Sequence, residues 1–165
     1  MKSDRLEYRS FNIEDVHDVF EYASDEQVTK YLTWPTHKTY EQTASVLERF
    51  YIPNPYCYAV VKDNKCIGSL NITLTEKREA VVGIALNRSY WNYGYATEIL
   101  KVAIEYAFDN FDVEVVKGEH FIGNDASGYV MKKVGMKFVG EAENLDTGKK
   151  VKVYKLTREN WEKLQ

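Results

Sequence analysis

Apolar and polar positions alternate in two rhythms along this chain of 165 residues, and the change from one to the other marks its elements. The stretch DRLEYRSF (Asp4 to Phe11) predicts a first strand. Asn12 then caps a helix with Glu14 and Asp15 in its first turn, where the helix dipole favours anions. Val16, Val19, Phe20 and Ala23 mark the apolar face of that helix. A short helical piece, DEQVTKYL, runs up to TWPTHK, where Pro35 breaks the chain. Thr39 with Gln42 three residues on forms a capping-box pattern, and Ala44, Leu47 and Tyr51 follow at helical spacing. Three strands come next, Tyr56 to Val61, Cys66 to Leu74 and Ala80 to Leu86, joined by the turns KDNK and TEKRE as an antiparallel meander. From Gly94 onward Ala96, Ile99, Leu100, Ala103, Ile104, Ala107 and Phe108 recur at i, i+3, i+4 and i+7, the clearest helix in the chain. A strand (Val113 to Phe121), a helix (about Asn124 to Val134) and two strands around the turn DTGK complete the order. The chain reads as α+β, with one domain over residues 1–165 and no repeats or linkers.

Composition narrows the class. A chain of this length can bury roughly two-thirds of its unfolded surface, and 44% hydrophobic with 28% charged residues is the balance of a globule rather than a disordered or membrane chain. The segment MKSDRLEYRS has no apolar signal-peptide core and no apolar run has membrane-spanning length, so the expectation is a cytoplasmic protein without a membrane partner. The net charge of −3 argues against a nucleic-acid partner, which requires a basic surface. Lys149, Lys150, Lys152, Lys155 and Arg158 gather near the end and read as a solvated strand face. Cys57 and Cys66 are the only cysteines and lack metal-ligand spacing. With a turn at Asp63-Asn64, Val61 faces Cys66 and Cys57 faces Leu70, so the two thiols do not pair. No metal site is expected, and no pattern reveals an oligomeric state.

The chemistry concentrates where strand turns to helix, in YWNYGYATE (Tyr90 to Glu98). A helix start offers unpartnered N–H groups and partial positive charge, a natural seat for a diphosphate. The point of closest approach favours a residue without Cβ, and Gly94 with the small Ala96 supplies it. Gly94 also reads simply as a strand-to-helix turn. Neither G-x-x-x-x-G-K-[ST] nor G-x-G-x-x-G is present, which disfavours ATP and dinucleotides.

The segment GIALNRSYWNYGYATEILKVAIEYAF (Gly83 to Phe108) resembles the acetyl-coenzyme A binding segment of the Gcn5-related N-acetyltransferase (GNAT) superfamily. The family's Q/R-x-x-G-x-G/A loop falls on Trp91 to Ala96. Tryptophan at its first position is similar to the RimJ/RimL-type branch, which acetylates ribosomal-protein N-termini and favours W-G-x-G-Y-A-T-E, with Asn92 here replacing the first glycine. NDASGYVMKKVGM (Asn124 to Met136) resembles the family's N-x-x-S and following helix, and YLTWPTHKTYEQTASVL (Tyr31 to Leu47) the branch's early tryptophan segment. The resemblance implies a mixed, mostly antiparallel central sheet of about seven strands flanked by helices.

It also implies roles. The pantetheine arm of acetyl-coenzyme A would bond to the backbone of Ile84, Ala85 and Leu86, and the diphosphate to the N–H groups of Tyr93, Gly94, Tyr95, Ala96 and Thr97. Asn124 would bond the pantetheine, or cap its helix, and Lys132 or Lys133 would reach the adenosine phosphates, or lie on a solvated face. The reaction is attack of a primary amine, on a peptide N-terminus or a small molecule, on the thioester. It requires a neutral amine, an oxyanion donor (a backbone N–H near Leu86) and a proton for the departing thiolate. Many family members carry a tyrosine acid seven residues after Asn124, where this chain has Met131. Ser127 is the candidate in its place, acting directly or through water. Glu79 is the candidate base, with Glu119 and His120 behind it on opposite faces of one strand. Trp34 reads as an acceptor-site wall or as a core tryptophan. The acidic residues Glu14, Asp15, Asp18, Glu21, Asp25 and Glu26 would favour a cationic acceptor if they flank the cleft. The alternative function is a catalytically silent module that binds acyl-coenzyme A as a sensor.

Overall fold

A computed structural model describes residues 1–165. Its strands are β1 (Glu7–Ser10), β2 (Cys57–Lys62), β3 (Lys65–Leu74), β4 (Glu79–Leu86), β5 (Val115–Phe121), β6 (Lys137–Glu143) and β7 (Lys150–Thr157). Its helices are α1 (Val16–Ala23), α2 (Glu26–Thr29), α3 (Tyr40–Val46), α4 (Tyr95–Asn110), α5 (Asp125–Lys133) and α6 (Arg158–Glu162). The strands hydrogen-bond in the order β1-β2-β3-β4-β5-β7-β6. The pairs β1/β2, β2/β3, β5/β7 and β6/β7 are antiparallel, while β4 and β5 are parallel. This is the α+β architecture and strand number read from the sequence. Two compact units form, Met1–Asn71 with Gly83–Tyr95, and Ile72–Val82 with Ala96–Gln165. No helix is long and apolar enough to cross a membrane.

In the first unit the chain enters α1 through a capping box. Asn12 Oδ1 accepts from the Glu14 N–H at 2.9 Å, and Asp15 accepts from the Asn12 N–H at 3.0 Å. Asp15 is buried because Arg9 grips it with both guanidinium nitrogens, at 2.7 and 2.8 Å. The buried face of α1 is Val19, Tyr22 and Ala23. Phe20, assigned to that face by periodicity, is half-buried and packs on Tyr40 instead, with ring centroids 4.3 Å apart. The core beneath it joins Phe11, Val28, Leu47, Cys57, Ala59, Val61, Cys66 and Ala85. Thr39 caps α3 by accepting from the Gln42 N–H, but the Gln42 side chain accepts from Lys38 N–H, one residue before the cap.

The β2/β3 turn falls on Asp63 and Asn64, both left-handed at φ 49° and 64° as a two-residue hairpin requires. Val61 pairs with Cys66 as expected, but Cys57 pairs with Asn71 rather than Leu70. The physical reason is a β-bulge between Val60 and Val61, which slips the register by one residue. Both thiols are free and buried, and burial pushes each up to about 12.

In the second unit the predicted stripe of α4 is its buried face: Ile99, Leu100, Ala103, Ile104, Ala107 and Phe108 are all nearly inaccessible. Its C-terminal end is closed by Arg158, whose Nη2 donates to the carbonyls of Phe108, Phe111 and Val113 at 2.8, 3.3 and 2.9 Å. Arg158 is therefore not part of a solvated strand face. Helix α5 lies on β5 and β7 at very close range. A Cβ on Gly128 would come within 2.8 Å of both His120 Nε2 and the Tyr154 hydroxyl, so only glycine fits that contact.

Candidate active site

The connection from β4 into α4 is built backbone first. Asn87, 3% exposed, holds its entrance. Its N–H donates to Ile67 O at 2.7 Å, its side-chain oxygen accepts from Ser89 N–H at 3.0 Å, and its amide nitrogen donates to Glu21 Oε1 at 3.0 Å. The Trp91 indole N–H reaches back to Leu86 O at 2.9 Å, tying the loop to the end of β4. Asn92 and Gly94 are left-handed, with φ of 64° and 81°. Asparagine tolerates this conformation far better than most side chains, so the chain turns at Asn92 without a glycine. Gly94 and the flanking Tyr93 are exposed, Tyr95 is buried, and Ala96 and Thr97 sit half-buried in the first turn of α4.

A residue distant in sequence completes the loop. Arg5 Nη1 donates to Tyr93 O at 2.9 Å, and its guanidinium carbon lies 4.2 Å from the centre of the Tyr95 ring. The loop thus offers the free amides of a helix start, a glycine with no Cβ at the bend, and a cation alongside. Those are the properties an anionic diphosphate needs. The pairing of β4 with β5 covers Glu79–Val81 only, and Ile84, Ala85 and Leu86 follow as the last residues of β4 before the loop.

At the start of α5 the Asn124 side chain makes no cap bond. It donates instead to Ser127 Oγ at 2.9 Å. Ser127 accepts there, so its own hydroxyl proton is left to donate elsewhere. Met131, one turn further, is buried with its sulfur 3.1 Å from the position of a Cβ on Gly118, which fits a packing residue. Lys132 and Lys133 are exposed.

The carboxylates and the imidazole considered as bases have partners. Glu79 Oε1 accepts from Lys155 Nζ at 2.5 Å, with its side chain only 16% exposed. Glu119 accepts from Asn144 Nδ2 at 2.7 Å and lies 3.6 Å from Lys117 Nζ. His120 is buried, with Nδ1 2.9 Å from Phe121 O and its ring stacked on Tyr154. Trp34 is half-buried, packed against the core of the first unit and 5.2 Å from the His37 ring. His37 in turn is bonded to Thr43 Oγ1 at 2.8 Å, and burial lowers its pKa. Most of the acidic residues assigned to attracting a cation are also engaged: Asp15 by Arg9, Asp18 by the Cys66 N–H, Glu21 by Lys65 and Asn87, and Asp25 by Arg88. Asp15, Glu21 and Asp25 thus lie in ion pairs, whereas Asp18 accepts from a backbone N–H, which brings no compensating charge. Sequence reasoning missed Arg5, Asn87 and the indole bond of Trp91; only Trp91, as an aromatic donor beside a strand end, carried a local signal.

Residues 5–137 match the family model described as the acetyltransferase (GNAT) domain. The chain is 29% identical over 139 residues to the uncharacterized N-acetyltransferase YnaD of Bacillus subtilis (strain 168), covering 82% of this chain and 81% of that one. Its fold is similar to that of a GNAT-family acetyltransferase from Bacillus anthracis, with a TM-score of 0.86 at 24% identity over 96% of this chain and 98% of the other. It is also similar to that of spermidine N-acetyltransferase from Vibrio cholerae in complex with CoA and spermine, with a TM-score of 0.80 at 14% identity over 97% and 99% of the two chains. The chain belongs to the GNAT acetyltransferase family, and it is an acetyltransferase.

Proposed function

We propose that the chain, acting as one domain, transfers an acetyl group from acetyl-coenzyme A to a primary amine, and that it belongs to the RimJ/RimL-type branch of its family. The observation that carries this reading is the loop from Trp91 to Tyr95, with two left-handed residues opening its backbone in front of the first turn of α4. The tie from the Trp91 indole to Leu86 O supports the branch assignment, because it gives the branch tryptophan a structural task in this loop. When bound, acetyl-coenzyme A supplies the acetyl group as a thioester.

The chain's own residues then have these tasks. The amides of Tyr93, Gly94, Tyr95, Ala96 and Thr97 hold the diphosphate, and the backbone of Ile84, Ala85 and Leu86 holds the pantetheine arm. Asn124 bonds to Ser127 and fixes its hydroxyl, which would pass a proton to the departing thiolate, directly or through water, and recover one from solvent. Lys133 contributes positive charge toward the adenosine phosphates. Trp34 lines the acceptor side. Glu79, already paired with Lys155, takes the proton from the incoming ammonium only if that pair opens; otherwise water carries it away.

The acceptor is an amine of a peptide N-terminus or of a small polyamine or aminoglycoside. The spermine bound to the similarly folded Vibrio cholerae enzyme makes polyamines the first class to try. The reading of a silent acyl-coenzyme A sensor draws on Met131 at the place of the acid and on the engaged carboxylates. One assay separates the two: release of free thiol from acetyl-coenzyme A, measured with and without a panel of polyamines, aminoglycosides and peptides. Amine-dependent release of at least one panel member's stoichiometry supports the transferase. Tight binding of the donor with no amine-dependent release supports the sensor.

A further inference from the structure

Two helical turns of the first unit are joined by one ion pair. Asp25 caps α2, its Oδ1 accepting from the Gln27 N–H at 2.9 Å. Its other oxygen, Oδ2, accepts from Arg88 Nε at 2.8 Å, with the Asp25 side chain only 19% exposed. Arg88 opens the short turn Arg88–Tyr90, which Asn87 caps and which leads from β4 into the loop before α4. One carboxylate therefore closes α2 and holds the entrance of the loop at once. A second tie runs from the same entrance: buried Asn87 donates to Glu21 Oε1 at 3.0 Å, and Glu21 Oε2 accepts from Lys65 Nζ at 2.8 Å. Glu21 belongs to α1, which ends at Ala23, two residues before Asp25.

What these ties hold is the acceptor side of the proposed reaction. After α2 the chain folds back, with Thr29 Oγ1 and Thr36 Oγ1 2.6 Å apart and the His37 N–H donating to Ala23 O at 2.9 Å. Trp34 lies between those anchors, half-buried against the core. Residues 30–39 form no helix or strand, so few backbone bonds order them, and such segments open most easily. A ligand that stiffens one side of a bond lowers the cost of ordering the other side. Stiffening of the loop before α4 is thus passed through Arg88 and Asp25 to the segment that carries Trp34. Linkage makes the effect reciprocal: a donor that orders the acceptor side raises acceptor affinity by the factor by which the acceptor raises the donor's.

We infer that Asp25 and Arg88 are positioning residues that couple the two substrates: coenzyme bound at the loop before α4 orders the segment from Asp25 to His37, and the acceptor amine binds better once the donor is in place. This rests on the coenzyme reading proposed above. Arg88 is 56% exposed, so the factor that the pair can carry is modest, about two- to fivefold.

Hydrogen–deuterium exchange of the full chain, read by mass spectrometry with and without saturating coenzyme A, tests this without an acceptor. Wild type is compared with Asp25→Asn, which keeps a good helix cap but loses the charge, and with Arg88→Met, which removes the other half of the pair. In the wild type coenzyme A is expected to slow exchange over residues 93–97 and, by about two- to fivefold, over residues 25–37. In both variants the slowing over 93–97 remains and that over 25–37 disappears. Each protein is compared with its own ligand-free state, so a variant that merely loosens the fold still shows the ligand-dependent slowing. No slowing over 25–37 in the wild type overturns the inference, and so does slowing equal to wild type in either folded variant, the mark of a route that bypasses the pair. Should one variant fail to fold, the other breaks the same pair from the opposite side. A wild type without slowing over 93–97 does not seat coenzyme A there, and the coenzyme reading itself falls before any variant is compared.

Discussion

Replacing Gly94 with alanine separates the backbone role of this residue from its ligand role. At φ 81° an L-residue is strained by about 1–2 kcal/mol, while the nearest atom to a new Cβ, Arg5 Nη2 at 3.5 Å, is at ordinary contact distance and adds no clash. A chain of this length loses about 2–4 °C of Tm for each kcal/mol, so the free variant should melt at least 2–4 °C lower, roughly. The ligand effect is larger. At acetyl-coenzyme A one hundred times above its Kd, the wild type gains about 2.7 kcal/mol, or roughly 5–10 °C. If the methyl group raises Kd tenfold, the same concentration yields only about 1.4 kcal/mol, and the shift is halved. Scanning fluorimetry with and without ligand reads both numbers. Gly148→Ala is the control, because Gly148 is also left-handed at φ 68° with open space around it. It should lower Tm similarly and keep the full ligand shift. A full ligand shift in Gly94→Ala would refute the diphosphate cradle, and an unchanged Tm without ligand would refute the left-handed conformation.

Other perturbations reach different parts of the molecule. Glu79→Gln breaks the ion pair with Lys155; the expected result is a modest loss of stability with kcat within about threefold of wild type, since a paired carboxylate is not the main proton acceptor, whereas a kcat loss of about 100-fold or more with a changed pH profile would assign Glu79 as the base. Cys57 and Cys66, buried and with thiols pushed up to about 12, should react with a thiol reagent near pH 8 only as fast as the protein opens, and rapid native-state labelling of either would contradict the buried register. Glu21 has its carboxyl held below the usual range, first by the bond from Lys65 and then by that from Asn87. A depressed folded pKa means stability that is present above the unfolded value and lost as pH falls through the folded one. Tm should therefore drop on acidification below about pH 4–5 more steeply in wild type than in Glu21→Gln, and equal slopes would show that the pair contributes nothing.

Much of this architecture was legible because periodicity reports burial. The stripe from Ile99 to Phe108 reflects a single apolar environment and returns as the buried face of α4, while the apolar runs read as β2 to β4 return as strands with ends shifted by a residue at most, Cys66 to Leu70 being buried at consecutive positions. The Asp63-Asn64 turn was legible for a different reason, the tolerance of both residues for positive φ. Helix α6 was not, since its five residues RENWE carry one apolar position and no period. The slip at Val60 was hidden because a bulge depends on how two strands twist together, not on either alone. In the candidate site the loop and Gly94 could be read locally. Arg5 could not, as Tyr93, whose carbonyl it holds, lies 88 residues away and Arg5 sits in a segment that reads as plain strand. Nor could the commitment of Glu79 to Lys155, 76 residues on, which turns a free-looking carboxylate into half of an ion pair.

Whether the loop before α4 seats the acetyl donor is decided by equilibrium titration of the purified protein with acetyl-coenzyme A, alongside Gly94→Glu. Saturable binding at one site per chain is expected in the wild type and its loss in the variant, in which a carboxylate meets the diphosphate at the bend. No binding in the wild type, or equal binding in a folded Gly94→Glu, would contradict a seat at this loop.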